Sequence, residues 1–75
     1  MREKVLEVLC EMNPEIGKNT DKDLLATGII DSFEIVNLVV ELEEAFDMEI
    51  DPELVIPENF RTVDAIVALV EKIVA

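Results

Sequence analysis

The feature that most constrains the fold is an amphipathic pattern over residues 32–46. Its apolar side chains recur at the i, i+3, i+4, i+7 spacing of a helix with 3.6 residues per turn. They are Ile35, Leu38, Val39, Leu42 and Phe46. Asp31 stands directly before this segment and Glu34 follows three residues later, as in an acidic version of the capping box. The pattern therefore predicts a helix that begins at about Ser32 and buries one face.

Two further segments, residues 2–12 and 62–74, have the same periodicity. The first stripe is Val5, Val8, Leu9 and Met12, and the second is Val63, Ile66, Val67, Val70 and Ile73. Thr62 is the expected N-cap of the last helix. The tetrapeptide at 57–60 begins with proline, which suits the first position of a short helical turn. We expect an all-α fold, in which three main helices and one short third helix enclose an aliphatic core within a single domain, residues 1–75.

The connection over residues 13–31 is longer than most links between helices and therefore needs apolar anchors. The available anchors are Ile16, Leu24, Leu25, Ile29 and Ile30. Residues 20–25 are predicted to form a single helical turn. Gly28 is expected to adopt a backbone angle that other residues resist.

The composition excludes several classes of function. Six basic residues stand against 18 acidic residues, and the net charge of −12 argues against binding to nucleic acid or to anionic membranes. No apolar run approaches the length of a membrane-spanning helix. The absence of histidine removes Ser-His and Cys-His nucleophile pairs, so we do not expect an enzyme. A single cysteine suits a reducing compartment, and we expect a cytoplasmic protein.

The acidic charge is concentrated in one region, because no lysine or arginine occurs between Asp23 and Phe60. A solvated acidic face is the ordinary interpretation. Because repulsion among uninterrupted like charges destabilises the folded protein, we prefer to interpret this region as a docking surface for basic partner proteins. The side chains expected to dock are Glu34, Glu41, Glu44 and Asp47. Residues 47–53 lack the turn glycine and the terminal glutamate of an EF-hand loop, so no metal site is expected.

Ser32 admits two interpretations. It can support the N-cap of the predicted helix. Alternatively, an exposed serine at the positive end of a helix can carry a phosphodiester. The neighbouring Asp31 and Glu34 would repel a phosphate, which the helix end would have to offset, or they could hold a divalent cation while a modifying enzyme acts.

The segment Gly28-Ile-Ile-Asp-Ser-Phe33, followed by an acidic helix, resembles the attachment motif of phosphopantetheine-dependent acyl carrier proteins. The resemblance implies a four-helix bundle of acyl-carrier type with a long first loop. It also implies that Ser32 receives covalent 4′-phosphopantetheine, derived from coenzyme A, whose thiol carries an acyl or aminoacyl group as a thioester. Asp31 would position the metal of the modifying transferase or the serine itself. Gly28 lies four residues before Ser32, as in D-alanyl carriers and other free-standing aminoacyl or specialised acyl carriers, whereas Phe33 departs from the leucine or methionine that is common at the next position.

The same resemblance implies three kinds of partner: a phosphopantetheinyl transferase, a loading ligase for the acyl or aminoacyl group, and a downstream synthase or transferase with a basic docking surface. We expect a monomer. The competing hypothesis is an unmodified acidic adaptor that binds a basic protein. An adaptor would tolerate Ser32→Ala but not charge reversal at Glu41 and Glu44, whereas a carrier would lose its function with the serine.

Overall fold

The structure is a computed structural model that describes residues 1–74, so the last residue of the predicted 1–75 domain lies outside it. The described residues form helices and connections, without a β-strand. The α-helices are α1 (Arg2–Met12), α2 (Glu15–Lys18), α3 (Ser32–Phe46), α4 (Pro57–Phe60) and α5 (Val63–Val74). A 3₁₀ turn, Pro52–Leu54, precedes α4. The predicted all-α bundle is confirmed, and α1, α3 and the short α4 have the predicted bounds.

The core is formed where α1, α3 and α5 turn their apolar faces toward one another. Their fully buried side chains include Val5, Leu9, Leu38, Leu42, Ile66 and Val70. Phe60 of α4 is also fully buried, so the short helix is attached to the core by one large aromatic side chain. Val39 and Phe46 lie at the edge of this core rather than within it. Leu69, which the predicted stripe of α5 omitted, is buried as well.

The long connection is held by the predicted anchors. Ile16, Leu24 and Ile30 are buried, while Leu25 and Ile29 pack partly against the core. The backbone N–H of Leu24 donates to the carbonyl of Arg61 at 2.6 Å, which ties the connection to the junction of α4 and α5. Gly28 has a φ of 75°, as its predicted role requires.

The helical turn predicted over residues 20–25 was wrong. The helical residues of this region are those of α2, which begins immediately after Pro14. The φ of −58° that the proline ring imposes suits a helix start, and the Asn13 Oδ1 accepts from the Glu15 N–H at 3.1 Å. At the predicted position, the Asp23 Oδ1 instead accepts from the N–H groups of Leu25 and Ala26, which favours a turn outside the helical ladder.

The last main helix begins one residue later than the predicted segment because Thr62 is its cap. The Thr62 Oγ1 accepts from the Ala65 N–H at 3.0 Å. A hydroxyl in this position satisfies one of the N–H groups that the first turn leaves without an intrahelical partner. The predicted N-cap is therefore confirmed.

Candidate functional site

The candidate site is the start of α3, where Asp31 is the N-cap. Its backbone is extended, with φ −125° and ψ −176°, and its Oδ1 accepts from the Glu34 N–H at 2.9 Å. Ser32 is the first residue of the helix and is exposed. Because the Asp31 carboxylate provides the cap, the helix does not need the Ser32 hydroxyl for that purpose. Ser32 is therefore an exposed residue in the first turn of a 15-residue helix, the end that carries the positive pole of the helix dipole.

Glu34 lies in the same turn but is turned toward α1. Its side chain is half-buried, and its Oε2 faces the Asn13 Nδ2 at 3.5 Å. The Glu34 backbone thus completes one half of the predicted capping box, while the Glu34 carboxylate faces Asn13, the residue that follows α1, instead of returning to the cap. Of the residues expected to dock partners, Glu34 is the least accessible.

The other predicted docking residues, Glu41, Glu44 and Asp47, are exposed. We call these three residues the acidic face. Glu41 and Glu44 belong to α3, and Asp47 follows its last turn with a left-handed φ of 49°. The Asp47 N–H donates to the Glu43 carbonyl, so this residue also ends the helix. The structure places the acidic face along the second half of α3 and beyond it, away from Ser32.

An exposed apolar strip on α3 was not predicted from the sequence. Phe33 is 81% exposed, Val36 59% and Val40 47%. Their i, i+3, i+7 spacing was visible in the sequence, but it was outweighed by the stronger stripe that faces the core. A groove of about 380 Å³ borders this strip, between α3 and residues 50–55. Its lining residues are Val36, Val39, Val40, Glu43, Ile50, Pro52 and Val55.

Three basic side chains, Arg2, Lys4 and Arg61, contact residues of other elements. Arg2 of α1 pairs with Asp64 of α5, and the Lys4 Nζ lies 4.8 Å from the centre of the Phe46 ring. The Arg61 Nη1 lies 3.2 Å from the Asp23 Oδ2. The N–H of Ala26, together with this guanidinium, lowers the pKa of Asp23 below its ordinary value of 3.8 despite some burial of the carboxyl.

Residues 1–74 contain neither a membrane-spanning helix nor a cluster of metal ligands. None of the helices described is long and apolar enough to cross a membrane. Within the same residues, no group of three or more cysteine, aspartate or glutamate side chains is arranged to hold a metal ion. The start of α3 therefore stands out by its accessible serine and not by a set of metal ligands.

Comparison with known proteins identifies the family to which the chain belongs. The family model described as "Phosphopantetheine attachment site" matches residues 1–70. A D-alanyl carrier protein of Lactococcus lactis subsp. cremoris (strain MG1363) is 32% identical over 74 residues, which covers 96% of this chain and 94% of that protein. A D-alanyl carrier protein of Bacillus cereus (strain B4264) is 44% identical over 46 residues, 61% of this chain and 57% of that protein. No solved structure matches significantly.

The match to the family model and the match to the Lactococcus protein each cover nearly the whole chain, including the long connection, α3 and most of α5. Members of this family carry covalently attached 4′-phosphopantetheine and are themselves non-catalytic. The chain belongs to the phosphopantetheine-attachment family of acyl and aminoacyl carrier proteins, and it is similar to the D-alanyl carriers within that family.

Proposed function

We propose that Ser32 is the residue to which 4′-phosphopantetheine is attached, and that the arm then carries an acyl or aminoacyl group as a thioester between partner enzymes. The observation that carries this proposal is the exposure of Ser32 at the first position of a helix whose cap is supplied by its neighbour, Asp31. The chain contains no other serine.

The residues around Ser32 fit such a group. The N-terminus of α3 favours an anionic phosphodiester, because the first-turn N–H groups and the helix dipole both point toward it. Ile30 is buried two residues earlier, so the chain is fixed to the core immediately before the exposed serine. The Asp31 Oδ1 is engaged in the cap. Its second oxygen makes no hydrogen bond within residues 1–74 and is the atom that would position the transferase's metal or the serine.

The acidic face would bind the basic surfaces of partner enzymes: the phosphopantetheinyl transferase, a loading ligase, and a downstream synthase or transferase. Its three members are exposed and lie on or next to the helix that carries Ser32. Attraction between such surfaces raises the rate of association and weakens with salt. The apolar strip, Phe33, Val36 and Val40, lies on the same helix and would supply the apolar contacts of the complex. In this proposal residues 1–75 form a single carrier domain, which acts as a monomer in the cytoplasm.

The proposed cargo is a small aminoacyl group, of which D-alanyl is the first candidate. The support comes from the Lactococcus and Bacillus relatives, which are both named D-alanyl carrier proteins. A cargo of this size needs no cavity in the bundle, which is consistent with a core whose central side chains in α1, α3 and α5 are fully buried.

Attachment is tested by intact-mass measurement after incubation with coenzyme A, Mg²⁺ and a phosphopantetheinyl transferase of broad specificity. We expect the mass of one phosphopantetheine on the wild-type chain and none on Ser32→Ala. Thr27→Ala, which removes a nearby hydroxyl that donates to the Asp23 carbonyl, is the matched control and should be modified. An unmodified wild-type chain, or an arm that persists in Ser32→Ala, would refute the proposal.

The cargo is tested on the arm-bearing protein with D-alanine, ATP and a D-alanine-activating ligase. We expect a second mass increase of one alanyl group that neutral hydroxylamine removes, because hydroxylamine cleaves thioesters. The protein without the arm is the control and should gain no alanyl group. If the arm-bearing protein isolated from its native cells carries a long acyl chain instead, the D-alanyl assignment fails while the attachment site stands.

A further inference from the structure

The side chain of Asn13 joins three elements next to Ser32. Asn13 follows the last residue of α1, and its Nδ2 donates to the Ile29 carbonyl at 2.8 Å. The same nitrogen faces the Glu34 Oε2 at 3.5 Å, while the Oδ1 accepts from the Glu15 N–H at 3.1 Å. One half-buried amide thereby connects the start of α2, the end of the long connection and the first turn of α3.

The contact with Ile29 has a specific mechanical consequence. Ile29 lies three residues before Ser32 and directly after Gly28, whose left-handed φ and lack of a side chain permit rotation of the chain. The buried Ile30 side chain fixes one point of this segment to the core. The Ile29 side chain packs partly against the core, and the Ile30 N–H donates to the Leu24 carbonyl at 3.1 Å. The hydrogen bond from Asn13 to the Ile29 carbonyl joins this backbone to the end of α1, and it is the side-chain hydrogen bond that holds the chain just before it enters α3.

We propose that Asn13 is a positioning residue for the attachment reaction, which rests on the proposed function of Ser32. By holding the Ile29 carbonyl it orients Asp31 and Ser32 toward an approaching transferase, and by facing Glu34 it keeps that carboxylate on the α1 side of the helix. Asn13 acts through the backbone and touches no reacting atom.

The test uses Asn13→Asp, which replaces the Nδ2 donor with an oxygen and keeps the oxygen that accepts from Glu15. The matched control is Asn59→Asp. The Asn59 Nδ2 donates to the Leu54 carbonyl at 2.7 Å, and this bond is also part-buried. It stabilises the segment before α4, which is distant from Ser32 in the sequence. Both variants lose the same kind of hydrogen bond by the same chemical change. Asn13→Ala removes the donor without adding a charge, but it also removes the Oδ1 that accepts from the Glu15 N–H. A loss shared by Asn13→Asp and Asn13→Ala is therefore due to the missing donor, and not to added repulsion or to the missing acceptor.

Phosphopantetheine transfer is measured at a temperature at which urea titration shows every variant to be folded. We expect kcat to fall about tenfold in Asn13→Asp and Asn13→Ala, the size of one hydrogen bond at the upper end of its net range, with KM nearly unchanged because the docking surface is intact. Asn59→Asp should stay within about twofold of the wild type. Hydrogen exchange at the amides of Phe33 and Glu34 should accelerate in the Asn13 variants alone.

The outcomes separate the two proposals. If the Asn13 variants and Asn59→Asp are modified at the same rate, or if the losses only follow global stability, the positioning role is overturned while Ser32 remains the attachment residue. If wild-type protein is not modified at all, the attachment proposal fails and the role of Asn13 fails with it. Unchanged exchange at residues 33 and 34 in the Asn13 variants would also overturn the positioning role.

Discussion

The Asp31 carboxylate accepts the hydrogen bond from the Glu34 N–H, at 2.9 Å, that a serine at the cap position would otherwise accept. The two interpretations of Ser32, a helix cap and a point of attachment, therefore do not compete for one hydroxyl. Asp31 stabilises the start of α3, and Ser32, one residue later, remains accessible. This division of roles leads to the first prediction.

Asp31→Ala should lower the free energy of unfolding by about 0.5–2 kcal/mol, because it leaves the Glu34 N–H without its cap. Urea unfolding followed by circular dichroism measures the change. Asp21→Ala is the matched control, since it removes the same charge from an exposed turn, and we expect its effect to stay within about 0.5 kcal/mol. Equal effects of the two variants would mean that the cap adds nothing to stability.

Leu42→Ala should cost about 2–5 kcal/mol, because Leu42 is fully buried and its truncation leaves a cavity in the core. Val40→Ala, two residues earlier on the exposed side of α3, should change stability by less than about 0.5 kcal/mol. The same urea titrations give both values. A cost at Leu42 no larger than that at Val40 would contradict the observed orientation of α3.

Gly28→Ala should lower stability by about 1–2 kcal/mol through backbone strain alone. The φ of Gly28 is 75°, and an added Cβ would meet no atom within 4 Å, so steric overlap with neighbours does not contribute. Gly28→Asn should cost less, because asparagine tolerates the left-handed region better than alanine. If both variants were equally destabilised, the left-handed angle would not be the cause.

Asp23→Asn should destabilise the protein at neutral pH but not in strong acid. Because the folded-state pKa of Asp23 is lowered, its charge contributes stability above the ordinary value of 3.8 that is lost as the pH falls through the folded-state value. The difference in unfolding free energy between wild type and variant should therefore be present at neutral pH and vanish below that lowered pKa. Chemical denaturation at a series of pH values measures it, and a difference that persists in acid would contradict the assignment.

Glu41→Lys combined with Glu44→Lys should reduce kcat/KM with a basic partner enzyme, such as the phosphopantetheinyl transferase, by about tenfold at low ionic strength. The loss should shrink as salt is added, because exposed charges are screened. Glu7→Lys combined with Glu11→Lys makes the same change of charge on the exposed side of α1 and is the control. Equal losses would show that net charge, and not the acidic face, governs association.

The extent of α1, α3 and α5 was predictable from the sequence, because periodic burial and local capping are properties of neighbouring residues. The left-handed Gly28 and the proline-initiated α4 were predictable for the same reason. The position of α2 was not, since a helix of four residues shows no full period. The sequence did contain a weak local indication of α2, because the Asn13-Pro14 pair that ends α1 also precedes the first residue of α2.

Within the site, the sequence by itself determined that Asp31 could cap a helix and that Ser32 would follow it in an acidic region. The tertiary structure alone decided that Glu34 faces Asn13, that the Asn13 amide holds the Ile29 carbonyl, and that Val36 and Val40 remain exposed. These outcomes depend on the path of the long connection and on which helix packs against which. The contacts of Asn13 with Ile29 and with Glu34 join residues that are separated by 16 and by 21 positions, and contacts over such separations leave no periodic pattern in a single sequence. A helix and its cap, in contrast, are specified within a few residues.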